Sequence, residues 1–289
     1  MGAVDGKRNR NWRTILEVDV KAIAYWHGPE RIHKLALAFA AGCRVHGVDC
    51  DVLPVDEDGG DADLVWMYGL GEGAKPFARH VNAVRVVGDK GYFAGYPIEK
   101  HFRISINAQQ PDLHLNLRSH PADRFNSLGL NVEPVTKRGE YVLLCGIGRK
   151  QCSIKGLSYG EWERGMYARL REITDRKIIV REKPKNPPIG GVPSSKLTSV
   201  VQAIRGAWAV VCLTGNIGAD AILHGVPVIA ESGPGAVYYR ADLEHLESIV
   251  PLSAEHRLAA LSDIAYCQWR RDELSSGALF GHLRVEGWV

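Results

Sequence analysis

Between positions 209 and 230 an apolar run, Ala209-Val210-Val211-Cys212-Leu213, gives way to Thr214-Gly215-Asn216 and then to Ile217-Gly218-Ala219-Asp220. A strand that ends in small polar residues and restarts as a short helix leaves backbone N–H groups unpaired. The helix dipole favours an anion at that end. Gly215 and Gly218 have no Cβ to keep a phosphate away. Asp220, in the first helical turn, can reach vicinal hydroxyls beside such a phosphate. This is the chemistry of nucleotide binding.

Other residues fit the same chemistry. Gly146-Ile147-Gly148-Arg149-Lys150 follows the apolar run 141–145, and Arg149 or Lys150 there can neutralise the charge on a leaving diphosphate. Arg181 and Lys183 follow another apolar run, 177–180, and belong at the ligand edge of a sheet. A transfer to a hydroxyl also needs a base. His27, after the run 22–26, and Asp89, after 84–87, are the candidates. His101, Arg103, Arg118 and His120 could line an anionic acceptor site. Asp61-Ala62-Asp63 has the spacing of a metal motif but precedes a strand, so it reads as a solvated loop and no metal is expected.

These residues need strands to carry them. Strands are expected at 22–26, 51–54, 63–68 and 84–87, the last closed by Gly88-Asp89. Ile32, Leu35, Ala36, Phe39, Ala40 and Cys43 fall on one helical face, which Gly47 ends. Residues 95–135, broken by four prolines, read as irregular. A second series follows, with strands at 141–145, 177–180, 207–213 and 226–230. Its helices are marked by Trp162, Met166, Leu170 and Ile173, by Leu197, Val200, Val201 and Ile204 behind a cap at Ser194 or Ser195, and by 219–224 and 256–265. Strand–helix alternation of this kind builds α/β folds with mainly parallel sheets. Two units, 1–137 and 138–265, are expected to face a cleft, with a tail at 266–289.

Composition agrees with an ordinary globular chain, 45% hydrophobic and 24% charged over 289 residues. Lys and Arg total 36 against 33 Asp and Glu, so charge alone does not point to nucleic acid. No apolar run approaches the ~20 residues of a membrane span. The basic start (Lys7, Arg8, Arg10, Arg13) lacks a secretory core, and a cytoplasmic protein is expected. Six cysteines without a C-x-x-C pair read as buried thiols.

Asp220 stands five residues before Gly225-Val226-Pro227-Val228-Ile229. That pattern resembles the donor site of glycosyltransferases with the two-domain GT-B fold. In the bacterial N-acetylglucosaminyltransferases that make lipid II, a Glu at this spacing binds the ribose. The resemblance implies ribose binding by Asp220, with a shorter reach, and diphosphate binding by Thr214, Gly215 and Asn216. It places Gly148, Arg149 and Lys150 at the donor phosphates, Arg181 and Lys183 near the base, and His27 at the position of a base in several inverting enzymes. Residues 139–184 also resemble phage- and prophage-encoded glycosyltransferases. There a strand, a glycine loop, a helix with Glu161-Trp162-Glu163 and the series Thr174-Asp175-Arg176, Ile178, Val180-Arg181, Lys183-Pro184 follow in order. Gly91-Tyr92 and Tyr266-Cys267-Gln268-Trp269 extend the likeness. It implies a metal-independent transferase taking a nucleotide-sugar, UDP-linked by preference. Its helical C-terminal tail would pack back on the first domain, and its acceptor could be a hydroxymethylated pyrimidine in double-stranded DNA. A sugar-nucleotide 2-epimerase and a non-catalytic nucleotide or DNA binder of the same fold are the alternatives.

Overall fold

The computed structural model describes residues 20–289 apart from 113–114, 116–118, 136–137, 184–185 and 195–198. The basic N-terminal segment, Arg118, the cap at Ser195, Leu197 and the junction at 136–137 lie outside the described residues.

Two sheets organise the chain. The first has six strands: β1 (Ala22–Trp26), β2 (Cys50–Pro54), β3 (Leu64–Tyr68), β4 (Val84–Lys90), β5 (Phe102–Ile106) and β10 (Gln268–Trp269), in the order β10-β5-β4-β3-β1-β2. The second has β6 (Tyr141–Cys145), β7 (Lys177–Arg181), β8 (Ala207–Cys212) and β9 (Val228–Ala230), in the order β7-β6-β8-β9. Its strands are all parallel, as are β2, β1, β3 and β4 in the first. Near-continuous apolar sequences such as AIAYW and YVLLC suit strands covered on both faces, as parallel sheets require.

Helix α1 (Glu30–Val45) buries Ile32, Leu35, Ala36, Phe39, Ala40 and Cys43, the face its periodicity marks. Gly47 ends it in the left-handed region at φ 75°. All six cysteines are buried and free. Among the described residues no helix is long and apolar enough to cross a membrane.

Two expectations need correction. The fourth strand does not close at Gly88-Asp89 but runs on to Lys90. Gly88 is not a turn residue: a Cβ there would lie 2.5 Å from Cη2 of the fully buried Trp66 on β3. Within 95–135, called irregular, Phe102–Ile106 forms a fully buried strand antiparallel to β4. Its Arg103 and Ser105 are both buried. The stretch 266–289 holds β10 and two helices, Arg271–Ser275 and Ala278–Val285. Trp269, Leu274, Phe280 and Leu283 from this stretch share the core of α1, β3 and β5. Boundaries shift elsewhere too, with helices at Ile217–Leu223 and Ala254–Tyr266.

Candidate functional site

The parallel register of the second sheet sets Arg181, Cys145 and Cys212 side by side. The segments that follow them, 182–183, 146–148 and 213–216, therefore leave the sheet at one carboxyl edge. Gly148 begins the helix Arg149–Lys155. A Cβ on it would lie 3.3 Å from Lys183 Cδ, so this lysine lies across the glycine loop. Burial pulls the Lys183 ammonium below the usual lysine range, and Asp89 opposes that shift. Glu163, with no exposed surface, accepts the Ile147 N–H at 2.7 Å and holds the loop from behind.

Asp220 sits in the helix Ile217–Leu223. Burial pushes its carboxyl up to about 7, with Lys90 and Arg181 pulling the other way. Its Oδ1 is buried and has no hydrogen-bond partner. Thr214 Oγ1, Arg181 Nε and Asn186 Nδ2 share that condition. Such atoms are rare in folded proteins, because each costs about 1–3 kcal/mol. Gly215, at φ 130°, has open space where a Cβ would stand.

The Asn216 side chain joins the two sheets. Its Oδ1 accepts from Arg103 Nη1 at 2.8 Å, and its Nδ2 donates to the carbonyls of Gly91 at 2.6 Å and Lys90 at 3.2 Å. The Asn216 side chain thus ties the turn after β8 to the end of β4, and the diphosphate contact expected of this residue is through its backbone N–H. Lys150 also crosses between the sheets. Its Nζ would stand 3.0 Å from a Cβ on Gly69, just past β3. Arg149 is exposed, its guanidinium 5.4 Å from the Tyr159 ring centroid.

His27 follows β1, and its Nε2 lies 2.9 Å from the Tyr68 carbonyl oxygen. A carbonyl only accepts, so Nε2 carries the hydrogen and the neutral ring keeps its lone pair on Nδ1. Asp89 lies inside β4, not beyond it, and both its oxygens are engaged. Oδ2 accepts from Arg103 Nη2 at 3.2 Å and Oδ1 from the Lys90 N–H at 2.7 Å. Arg103 is buried between Asp89, the Gln109 carbonyl and Asn216. His101 bonds the Glu99 carbonyl. His120 does not join them, because Asp263 holds it elsewhere. Asp63 accepts the Lys21 N–H at the amino end of β3, away from this edge.

Sequence reasoning missed Lys90, which bears electrostatically on Asp220 and Lys183, and Asn186 in the proline-rich loop. It also missed a cavity of about 780 Å³ beside Phe102, the partner of Lys90. Arg31, Lys34, Lys100, Arg270 and Arg271 line it, against Glu99 and Asp272.

Two parallel-rich sheets with helices between strands make a mixed α/β architecture consistent with a two-domain, Rossmann-like GT-B fold. No family model matches the chain and no curated protein does. Among solved structures, the beta Kdo 2,7 transferase of Thermosulfurimonas dismutans KpsC is similar at a TM-score of 0.50 and 14% identity, covering 84% of this chain and 90% of that one. The beta Kdo 2,4 transferase of KpsC from the same organism gives 0.49 and 14%, over 85% and 91%. A UDP-N-acetylglucosamine 2-epimerase structure from Listeria monocytogenes gives 0.25 and 11%, over 94% and 98%. The likeness at 0.50 bears on the fold alone, and the two weaker ones add nothing to it.

Proposed function

We propose that the chain is a glycosyltransferase that moves a sugar from a nucleotide-sugar, UDP-linked by preference, to a hydroxyl acceptor. The reading assigns donor binding to 138–265, acceptor binding to 1–137 and a supporting role to the tail 266–289. The observation that carries it is a set of buried, unpartnered polar atoms beyond the carboxyl edge of the second sheet: Arg181 Nε at the end of β7, Thr214 Oγ1 in the turn after β8, and Asp220 Oδ1 in the helix that follows. A ribose diol fits a carboxyl oxygen, and a phosphate fits a hydroxyl and a guanidinium.

In this reading the acceptor oxygen attacks the anomeric carbon while its proton passes to His27 Nδ1. The bond from that carbon to the phosphate oxygen breaks, and its electron pair stays on the leaving phosphate. Arg181 and Lys183 stabilise that charge as it develops. No metal enters. His27 is preferred to Asp89 as base because the Asp89 oxygens already accept from Arg103 and the Lys90 N–H. The basic cavity beside Phe102 favours an anionic acceptor, of which double-stranded DNA is one kind.

A thermal-shift screen against UDP, GDP, TDP, CMP and their sugars tests the donor side. A ligand present at 100 times its Kd stabilises by about 2.7 kcal/mol. One nucleotide class should raise Tm, and Asp220→Ala should abolish the rise; no response to any of them defeats the reading. His27→Ala should keep donor binding and lose about 10²–10⁴-fold in turnover. Sugar released from the nucleotide without an acceptor would point to epimerase chemistry instead. Transfer to a double-stranded DNA acceptor should weaken steeply as salt rises.

A further inference from the structure

We propose that His120, His282 and Glu286 form a binding site for one zinc ion, apart from the donor residues and independent of the transferase reading. One nitrogen from each histidine and one Glu286 oxygen all lie within 4.8 Å of one another. His282 and Glu286 stand four residues apart, His282 within the helix Ala278–Val285 and Glu286 at its C-cap, and this spacing puts both on one helical face. His120 comes from the loop ahead of the helix Asp123–Ser127.

The orientation of His120 is what makes this more than a cluster. Asp263 Oδ1 accepts both the His120 backbone N–H, at 2.7 Å, and Nδ1–H, at 3.0 Å. The other Asp263 oxygen accepts the Tyr238 hydroxyl at 3.1 Å. A carboxylate only accepts, so the His120 hydrogen sits on Nδ1 and the Nε2 lone pair points to the site. That Nε2 is buried without a hydrogen-bond partner, in a side chain only 10% exposed. Glu286 Oε1 is 3.8 Å from it, in a side chain 8% exposed. A carboxylate behind a ligating imidazole is the usual outer support of a metal histidine. The Tyr266 ring stacks on His120 at 4.3 Å and fixes its plane.

Ligand type and spacing choose the ion. Two imidazoles and one carboxylate suit zinc better than calcium or magnesium, which prefer all-oxygen sites. Tetrahedral ligands about 2.0–2.1 Å from zinc stand roughly 3.4 Å apart, so the 3.8 Å between Nε2 and Oε1 needs only a small side-chain adjustment. The fourth position is left to water. Such an ion would pin the helix Ala278–Val285 to the loop at His120, and through Asp263 to the helix Ala254–Tyr266.

Tag-free protein stripped with a chelator is titrated with zinc chloride against a chromophoric competitor. One zinc per chain and a higher Tm are expected. His282→Ala and Glu286→Gln should each weaken binding at least about 10-fold, and Asp263→Asn about 10–100-fold through His120. No zinc bound at tens of micromolar, or one zinc held equally well by both ligand variants, overturns the proposal. X-ray absorption on the wild-type zinc protein gives an answer even if the variants fail to fold. Four nitrogen or oxygen neighbours are expected, and a sulfur neighbour overturns the site.

Discussion

At the residue scale, Asp220 carries a conflict between folding and binding. Its carboxyl titrates near 7 in the folded chain because burial disfavours the charged form, against an ordinary value of 3.8. Between about pH 4 and pH 7 the folded state therefore holds a proton that the unfolded state releases. Stability falls as pH rises through that window, and the full penalty remains above it. Asp220→Asn removes the titration. The variant should differ little in Tm from wild type at pH 4 and melt above it at pH 8, while losing donor affinity. A Tm gap independent of pH would show that Asp220 is not held in its neutral form by burial. Active sites commonly keep such destabilising groups for their function.

At the scale of elements, what was legible in the sequence followed from apolar pattern alone. The YVLLC and AIAYW runs and the i, i+3, i+4 face of α1 needed no knowledge of their partners. The misreadings came where partners decide. Phe102–Ile106 hides as a strand because Arg103 finds Asp89 and Asn216 only in three dimensions. Gly88 looked like a strand end, yet it is small because Trp66 occupies the space beside it. Gly88→Ala tests that account. Replacing a strand glycine should by itself gain about 0.5–1 kcal/mol of backbone entropy. A methyl 2.5 Å from a buried indole carbon must instead displace Trp66, and overpacking of this kind costs about 1–3 kcal/mol. The second effect should win, lowering the urea midpoint with a change in tryptophan fluorescence. A stabilised variant would mean that Trp66 has room to move.

At the scale of the whole molecule, the candidate site depends on how loops from the two sheets meet, which sequence pattern could not reveal. Thr214, Gly215, Asn216 and Asp220 were legible as one strand–turn–helix, but the partners of the Asn216 side chain were not. Asn216 reads as a phosphate ligand when only its neighbours in the chain are known. Its structural neighbours are Arg103, Lys90 and Gly91, more than a hundred residues earlier. Removing its amide leaves the buried Arg103 short of one acceptor and two carbonyls short of a donor. Each such loss is worth about 1–3 kcal/mol where water cannot enter. Asn216→Ala should thus lower unfolding stability by that order. It should weaken donor binding less than Asp220→Asn does, because its own contact with the donor would be through backbone. Urea unfolding and nucleotide titration of the two variants, run side by side, decide the matter. If Asn216→Ala costs more in donor affinity than in stability, its side chain belongs to the phosphates and the tie between the sheets is secondary.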